Sequence, residues 1–184
     1  IEVGDVTHPL WRESFGRLTF DSHAAPVTER TIFDLASLTK VMATTPLLMQ
    51  QVERGTIGLD DPAIHHVAEW RGPDRAGVTL RDLLSHSAGL PAYRELFRSH
   101  RGRVAFEQAI CGTPLEYAPR SASVYSDLGF ILLGVMLDAD TPLPTRFDTM
   151  LGQMGIAEDL QFNPSAAWRP RTAPTELDAW RRRL

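Results

Sequence analysis

The sequence of 184 residues holds one cysteine, Cys111. No internal disulfide can form, and neither an oxidising nor a reducing compartment is indicated. It lacks any apolar run near the roughly 18 residues of a membrane span. The richest stretch, Phe130-Ile131-Leu132-Leu133-Gly134-Val135-Met136-Leu137, has the length of a buried helix. It also lacks an excess of positive charge: 19 Lys and Arg against 23 Asp and Glu leave a net charge of −4. That balance argues against nucleic acid or an anionic membrane as the partner. The one basic cluster, Arg181-Arg182-Arg183, reads as a solvated helix terminus.

Several chemical signatures are missing as well. No G-x-S-x-G elbow occurs, which disfavours an α/β-hydrolase. Neither H-E-x-x-H nor a phosphate-binding loop occurs, which disfavours metal hydrolysis and nucleotide binding. His65 and His66 are adjacent, and on a helix they would point about 100° apart, a poor arrangement for one metal ion. No cofactor and no metal are therefore expected. There is no internal repeat and no low-complexity segment. The chain begins at Ile1 without an initiator methionine or signal peptide, so it reads as part of a longer protein and no compartment is assigned.

What is present is the composition of a soluble globular protein, 43% hydrophobic and 23% charged, long enough to bury a real core. Ile1-Glu2-Val3 and Trp11 to Phe20 read as strands, and Thr31 to Ala36 as a third, short one. From Ser37 to Arg54, Leu38, Val41, Met42, Leu48, Met49 and Val52 follow a helical period, and Gly55 stops it. Pro46 inside this run predicts a kink near Met42–Pro46. A second helix is expected to carry His65-His66, and a third starts at an N-cap Thr79. Residues 93–111 read as an amphipathic helix, Ser126 to Leu137 as a strongly apolar one, and Phe147 to Leu151 as the start of another. After Gly155 the chain is loop-like.

The chain turns on Ser37-Leu38-Thr39-Lys40. A serine and a lysine three apart at a helix start share one face, so the ammonium can reach the hydroxyl. Serine needs a base, or a positive charge favouring its alkoxide, and lysine can supply either. The helix N-terminus adds positive field and free N–H groups. The tetrapeptide is equally compatible with an N-cap serine beside a solvated lysine. A second junction, Tyr125-Ser126-Asp127, could bring a phenol to the same place, where a nearby cation would lower its pKa and make it a proton relay. Alone, Tyr125 would read as a half-buried residue capping the apolar helix.

Taken together, four blocks resemble the serine β-lactamase and penicillin-binding-protein superfamily, in the branch of class C β-lactamases, D-amino-acid peptidases and related esterases. They are Phe33-Asp34-Leu35-Ala36-Ser37-Leu38-Thr39-Lys40, Gly55-Thr56-Ile57-Gly58-Leu59-Asp60-Asp61-Pro62, Leu83-Leu84-Ser85-His86-Ser87-Ala88-Gly89-Leu90-Pro91 and Tyr125-Ser126-Asp127-Leu128-Gly129. The resemblance covers roughly residues 11–160. It implies an α/β (α+β) fold, an antiparallel sheet flanked by helices with a mainly helical subdomain. The expected division is 1–59 for the N-terminal strands and nucleophile helix, 60–150 for the helical subdomain and 151–184 for a connection back to the sheet.

The resemblance also implies roles. Ser37 would be acylated, Lys40 would keep the site protonically poised, and Tyr125 would shuttle the proton to the leaving group; which of the last two is the base stays open. The Ser37 N–H would form half an oxyanion hole, and His86 would hold the Gly89-Leu90-Pro91 corner without a catalytic part. Two departures stand out. The family's Tyr-x-Asn has Asp127 at its third position, and an ionised aspartate accepts hydrogen bonds but donates none. Asp127 should hold Lys40 well and grip the acylamino side chain of a β-lactam poorly. The family's third motif, Lys-Thr-Gly or His-x-Gly, does not follow Tyr125 in this sequence. The strands that carry it, supplied by further polypeptide or by a companion chain, are expected to complete the sheet. The functional expectation is a serine hydrolase forming an acyl-enzyme on an ester, amide or cell-wall peptide. The alternatives are a non-catalytic binding or regulatory module of the same fold, or a true β-lactamase.

Overall fold

The computed structural model describes residues 1–175, and the Arg181–Arg183 cluster lies outside them. Contacts group the chain into two units, Ile1–Ala36 with the segment from Phe162, and Ser37–Gln161. The sequence-derived boundaries at 59/60 and 150/151 do not coincide with this grouping, which joins the Ser37 segment to the helices that follow it.

In the first unit, β1 (Glu2–Gly4) pairs antiparallel with β2 (Pro9–Arg12), with Val3 opposite Trp11. The second strand is shorter than its sequence pattern, ending at Arg12 rather than Phe20. Of the strand expected over 31–36, among the described residues only a parallel bridge between Ile32 and Thr172 forms, held by Ile32 N–H to Arg171 O and Ala173 N–H to Ile32 O.

The second unit is helical. A wide π-helical turn, Lys40–Thr44, runs directly into α1 (Thr45–Glu53). The Thr45 N–H bonds back to Lys40 O, five residues away. Pro46, near the N-terminus of α1, has no N–H to donate, and the wide turn is how the backbone absorbs that loss at the place where a kink was expected. The turn also breaks the 3.6-residue period: the buried residues are Ala43, Leu47 and Leu48, whereas Leu38, Val41 and Met49 are exposed.

Next comes α2 (Leu80–Leu84), with Thr79 as its expected N-cap and, beyond that expectation, Asp82 completing a reciprocal capping box. Asp82 is buried and also accepts from the Arg120 guanidinium at 2.7 Å. The helix expected at His65-His66 is a single 3-10 turn, Ala63–His65. The one expected over 93–111 shortens to α3 (Gly102–Cys111), because Gly102, at φ +75°, turns the chain only there into helix.

At the centre, α4 (Asp127–Leu137) packs on α2, on α3 and on the Lys40–Thr44 turn. It is apolar on nearly all sides, as a helix surrounded by others must be. Leu128, Leu132 and Leu133 are almost wholly inaccessible, and each such leucine contributes about 1.5–3 kcal/mol. α5 (Leu143–Met154) packs on α1 and ends at Gly155, φ +75°, the left-handed conformation that closes many helices. No helix among the described residues is long and apolar enough to cross a membrane.

Candidate active site

The residues singled out in the sequence meet at the start of the wide turn. Asp34 Oδ1 accepts from Ala36 N–H at 2.8 Å, and Ala36 takes a left-handed φ of +44° immediately before Ser37. Such backbone is costly for a residue with a Cβ and is concentrated at functional positions. Ser37 sits three residues before the wide turn begins, and its carbonyl accepts from Lys40 N–H at 3.1 Å. Its hydroxyl accepts from the Lys40 ammonium, Nζ to Oγ 3.1 Å, so it is turned toward the lysine.

The Lys40 ammonium is mostly buried and also donates to Asp127 Oδ1 at 2.7 Å. Asp127 is the first residue of α4, where the helix N-terminus favours its negative charge. Its own N–H is directed to Ala92 O. The Tyr125 ring lies 4.9 Å from Lys40 Nζ and the Phe130 ring 5.9 Å. Ser37, Lys40, Tyr125 and Asp127 therefore share one site, assembled from two segments more than eighty residues apart.

Their protonation states diverge. Burial works to lower the Lys40 pKa, but hydrogen bonding to Asp127 and Tyr125 outweighs it and raises the value above that of an ordinary lysine. Tyr125 moves the other way: its hydrogen-bonding partners Lys40 and then Ser37 hold the phenol below its usual value. Lys40 is thus held more firmly as a cation, and Tyr125 gives up its proton more readily than a free phenol.

His86 is the residue whose place here the sequence did not foretell. Its ring lies against those of Tyr125, centroids 4.6 Å apart and tilted 38°, and Phe130, at 5.1 Å and tilted 34°. Nothing in a lone turn histidine announces partners forty residues away. Among the described residues no cluster of three or more His, Cys, Asp or Glu could hold a metal ion. A groove of about 640 Å³ between α1 and α5, lined by Pro46, Met49, Met150 and Met154 among others, includes none of the four residues of the site.

The β-lactamase family model matches residues 9–181. The chain belongs to the β-lactamase family. Among the relatives of this β-lactamase-family chain is a "Putative D-alanyl-D-alanine carboxypeptidase" of Salmonella gallinarum, 31% identical, the match covering 86% of this chain and 41% of that protein. A class C β-lactamase structure superposes with a TM-score of 0.73 at 24% identity, covering 86% of this chain and 44% of that one. FmtA from Staphylococcus aureus superposes with a TM-score of 0.74 at 20% identity, covering 86% and 45%. These likenesses establish the α/β fold of β-lactamases and penicillin-binding proteins that the four motif blocks imply. The chain spans less than half the length of the relatives it matches.

Proposed function

We propose that this chain carries the nucleophile half of a serine hydrolase that works through an acyl-enzyme on an ester, an amide or a cell-wall peptide. The observation that carries the reading is the Lys40 ammonium bridging Ser37 Oγ and Asp127 Oδ1, with the Tyr125 phenol beside it. The opposed pKa directions favour Tyr125 as the proton acceptor and Lys40 as a permanent cation. Ser37 Oγ would attack the substrate carbonyl carbon as its proton passes to the Tyr125 phenolate. The Ser37 N–H would donate to the developing oxyanion. Collapse would expel the leaving oxygen or nitrogen with the proton returned by Tyr125, and leave the acyl group on Ser37. A water deprotonated by Tyr125 would then release the acid.

Substrate preference follows from Asp127. Its carboxylate is engaged by Lys40 and donates nothing, so the amide carbonyl of a β-lactam side chain finds no donor there. Esters and peptides that do not depend on that contact are favoured over β-lactams. A non-catalytic module of the same fold is the second reading.

Turnover of an aryl acyl ester, a D-Ala-D-Ala peptide and a cephalosporin by the intact protein separates the readings. The hydrolase reading expects kcat/KM for the ester or the peptide to exceed that for the cephalosporin. A preferred cephalosporin would make the protein a true β-lactamase, and no turnover of any of the three would favour the binding module.

A further inference from the structure

The loop between α2 and α3 braces the Tyr125 junction along its length. Ser85 O accepts from Ser123 Oγ at 2.9 Å, and Ser87 O accepts from Arg120 N–H at 2.8 Å. Pro91 O accepts from the buried Ser126 hydroxyl at 2.7 Å. His86 is the centre of this brace. Its carbonyl accepts from Val124 N–H at 2.9 Å and from the Tyr117 hydroxyl at 3.3 Å, and its Nδ1 accepts from Ser126 N–H at 3.0 Å. Its ring covers the Tyr125 ring between those two backbone bonds.

An Nδ1 that accepts carries no proton, so the imidazole bonded in this way is neutral. We propose that His86 is a positioning residue for Tyr125, its neutral imidazole clamping the phenol at Ser37 and Lys40 through the ring contact and the Ser126 N–H, and releasing it on protonation. This inference rests on the serine-hydrolase reading for its kinetic consequence, though not for its geometry.

The charged and titratable groups facing His86 are Lys40 from the wide turn, Tyr125 and Asp127 from the junction and α4, and Tyr117 from the loop before it. A proton on Nδ1 would set two donors against each other at Ser126 and place a second cation near Lys40. Burial, and then the Lys40 charge, accordingly hold the His86 pKa below its ordinary value. Near neutral pH the clamp is closed, and acid opens it.

Two variants test this. His86 has φ +57°, a conformation that asparagine tolerates well. His86→Asn loses the ring but keeps a short side-chain acceptor for Ser126 N–H and cannot titrate; His86→Ala loses the acceptor as well. In the intact wild-type protein, acylation of Ser37 should fall with acid at a slope of one while Tyr125 takes up its proton, and at a slope of two once His86 is protonated as well. His86→Asn should hold a slope of one throughout. His86→Ala should lose about tenfold to a hundredfold in acylation rate with little change in substrate binding, the scale of a small misplacement of a reacting group.

A readout independent of turnover is the Tyr125 phenol pKa, followed by carbon NMR of labelled tyrosine in the folded fraction. It should rise toward the ordinary value in His86→Ala and stay depressed in His86→Asn. Identical acid limbs in wild type and His86→Asn, or an unmoved Tyr125 pKa in His86→Ala, would overturn the proposal. If the wild-type protein forms no acyl adduct, the hydrolase reading fails while the Tyr125 titration still decides the role of His86.

Discussion

Replacing Asp127 by asparagine removes one charge from the site and leaves its shape. The pair it breaks is short, 2.7 Å, with the Lys40 side chain 14% exposed and that of Asp127 40% exposed. Exposed ion pairs contribute about 0.2–1 kcal/mol, whereas breaking a fully buried pair costs about 3–5 kcal/mol. Solvent at Asp127 screens this pair toward the lower range, so about 1–2 kcal/mol is at stake. The sign is set by the group that loses its partner. Asp127 raises the Lys40 pKa, so Asp127→Asn lowers it. Asp127 also raises that of Tyr125, as a smaller influence than the Lys40 and Ser37 hydrogen bonds that lower it, so the phenol shifts down only slightly.

If acylation requires the Tyr125 phenolate and the Lys40 cation, its rate against pH is a bell whose alkaline limb belongs mainly to Lys40. In Asp127→Asn that limb should move down, and the acid limb should move down less. The assay is the pH dependence of the acylation rate with an activated ester, followed in single turnover. The same variant regains an amide donor and should raise β-lactam acylation relative to ester turnover. An alkaline limb that does not move would refute Lys40 as the required cation, and an unchanged β-lactam-to-ester ratio would mean that residue 127 does not face the substrate.

Tyr125→Phe removes the proton acceptor but keeps the ring against His86, and should cost on the order of a hundredfold or more in acylation with the melting temperature nearly unchanged. Lys40→Ala should be at least as damaging, because it strips the charge that depresses the phenol. Gly89→Ala should destabilise the protein by about 1–3 kcal/mol, read as a lower denaturant midpoint. Gly89 sits at φ +90°, and a Cβ there would come within 2.4 Å of Tyr117 O; wild-type stability would mean that this corner is not held as described.

That Ser37, Lys40, Tyr125 and Asp127 meet was legible from the four motif blocks taken together, to which local spacing alone gave only a start. Ser37 and Lys40 are one helical turn apart, and Tyr125 and Asp127 flank the start of the most apolar helix in the chain. The N-cap at Thr79 was legible from local sequence; its reciprocal partner Asp82 was not foreseen. The strands were not legible. Val3 and Trp11 do pair, but Thr31 to Ala36 has the composition of a strand and, among the described residues, bridges only Thr172, about 140 residues on. Strand propensity describes a surface that suits pairing and does not supply the partner. The buried face of the Ser37 helix was misread because Pro46 does more than bend the axis; the wide turn at Lys40–Thr44 changes which residues point inward. His86 escaped because its partners are a backbone N–H and a ring brought to it by tertiary folding.

The central claim, that Ser37 is a nucleophile activated by its neighbours, is tested most directly by mass. The intact protein is treated with a fluorophosphonate or an activated ester, its mass is measured, and the modified peptide is sequenced. The account predicts one adduct, on the peptide containing Ser37, absent in Ser37→Ala and formed far more slowly in Tyr125→Phe. An adduct on another residue, or labelling of Ser37 at the same rate in the Tyr125→Phe protein, would contradict it.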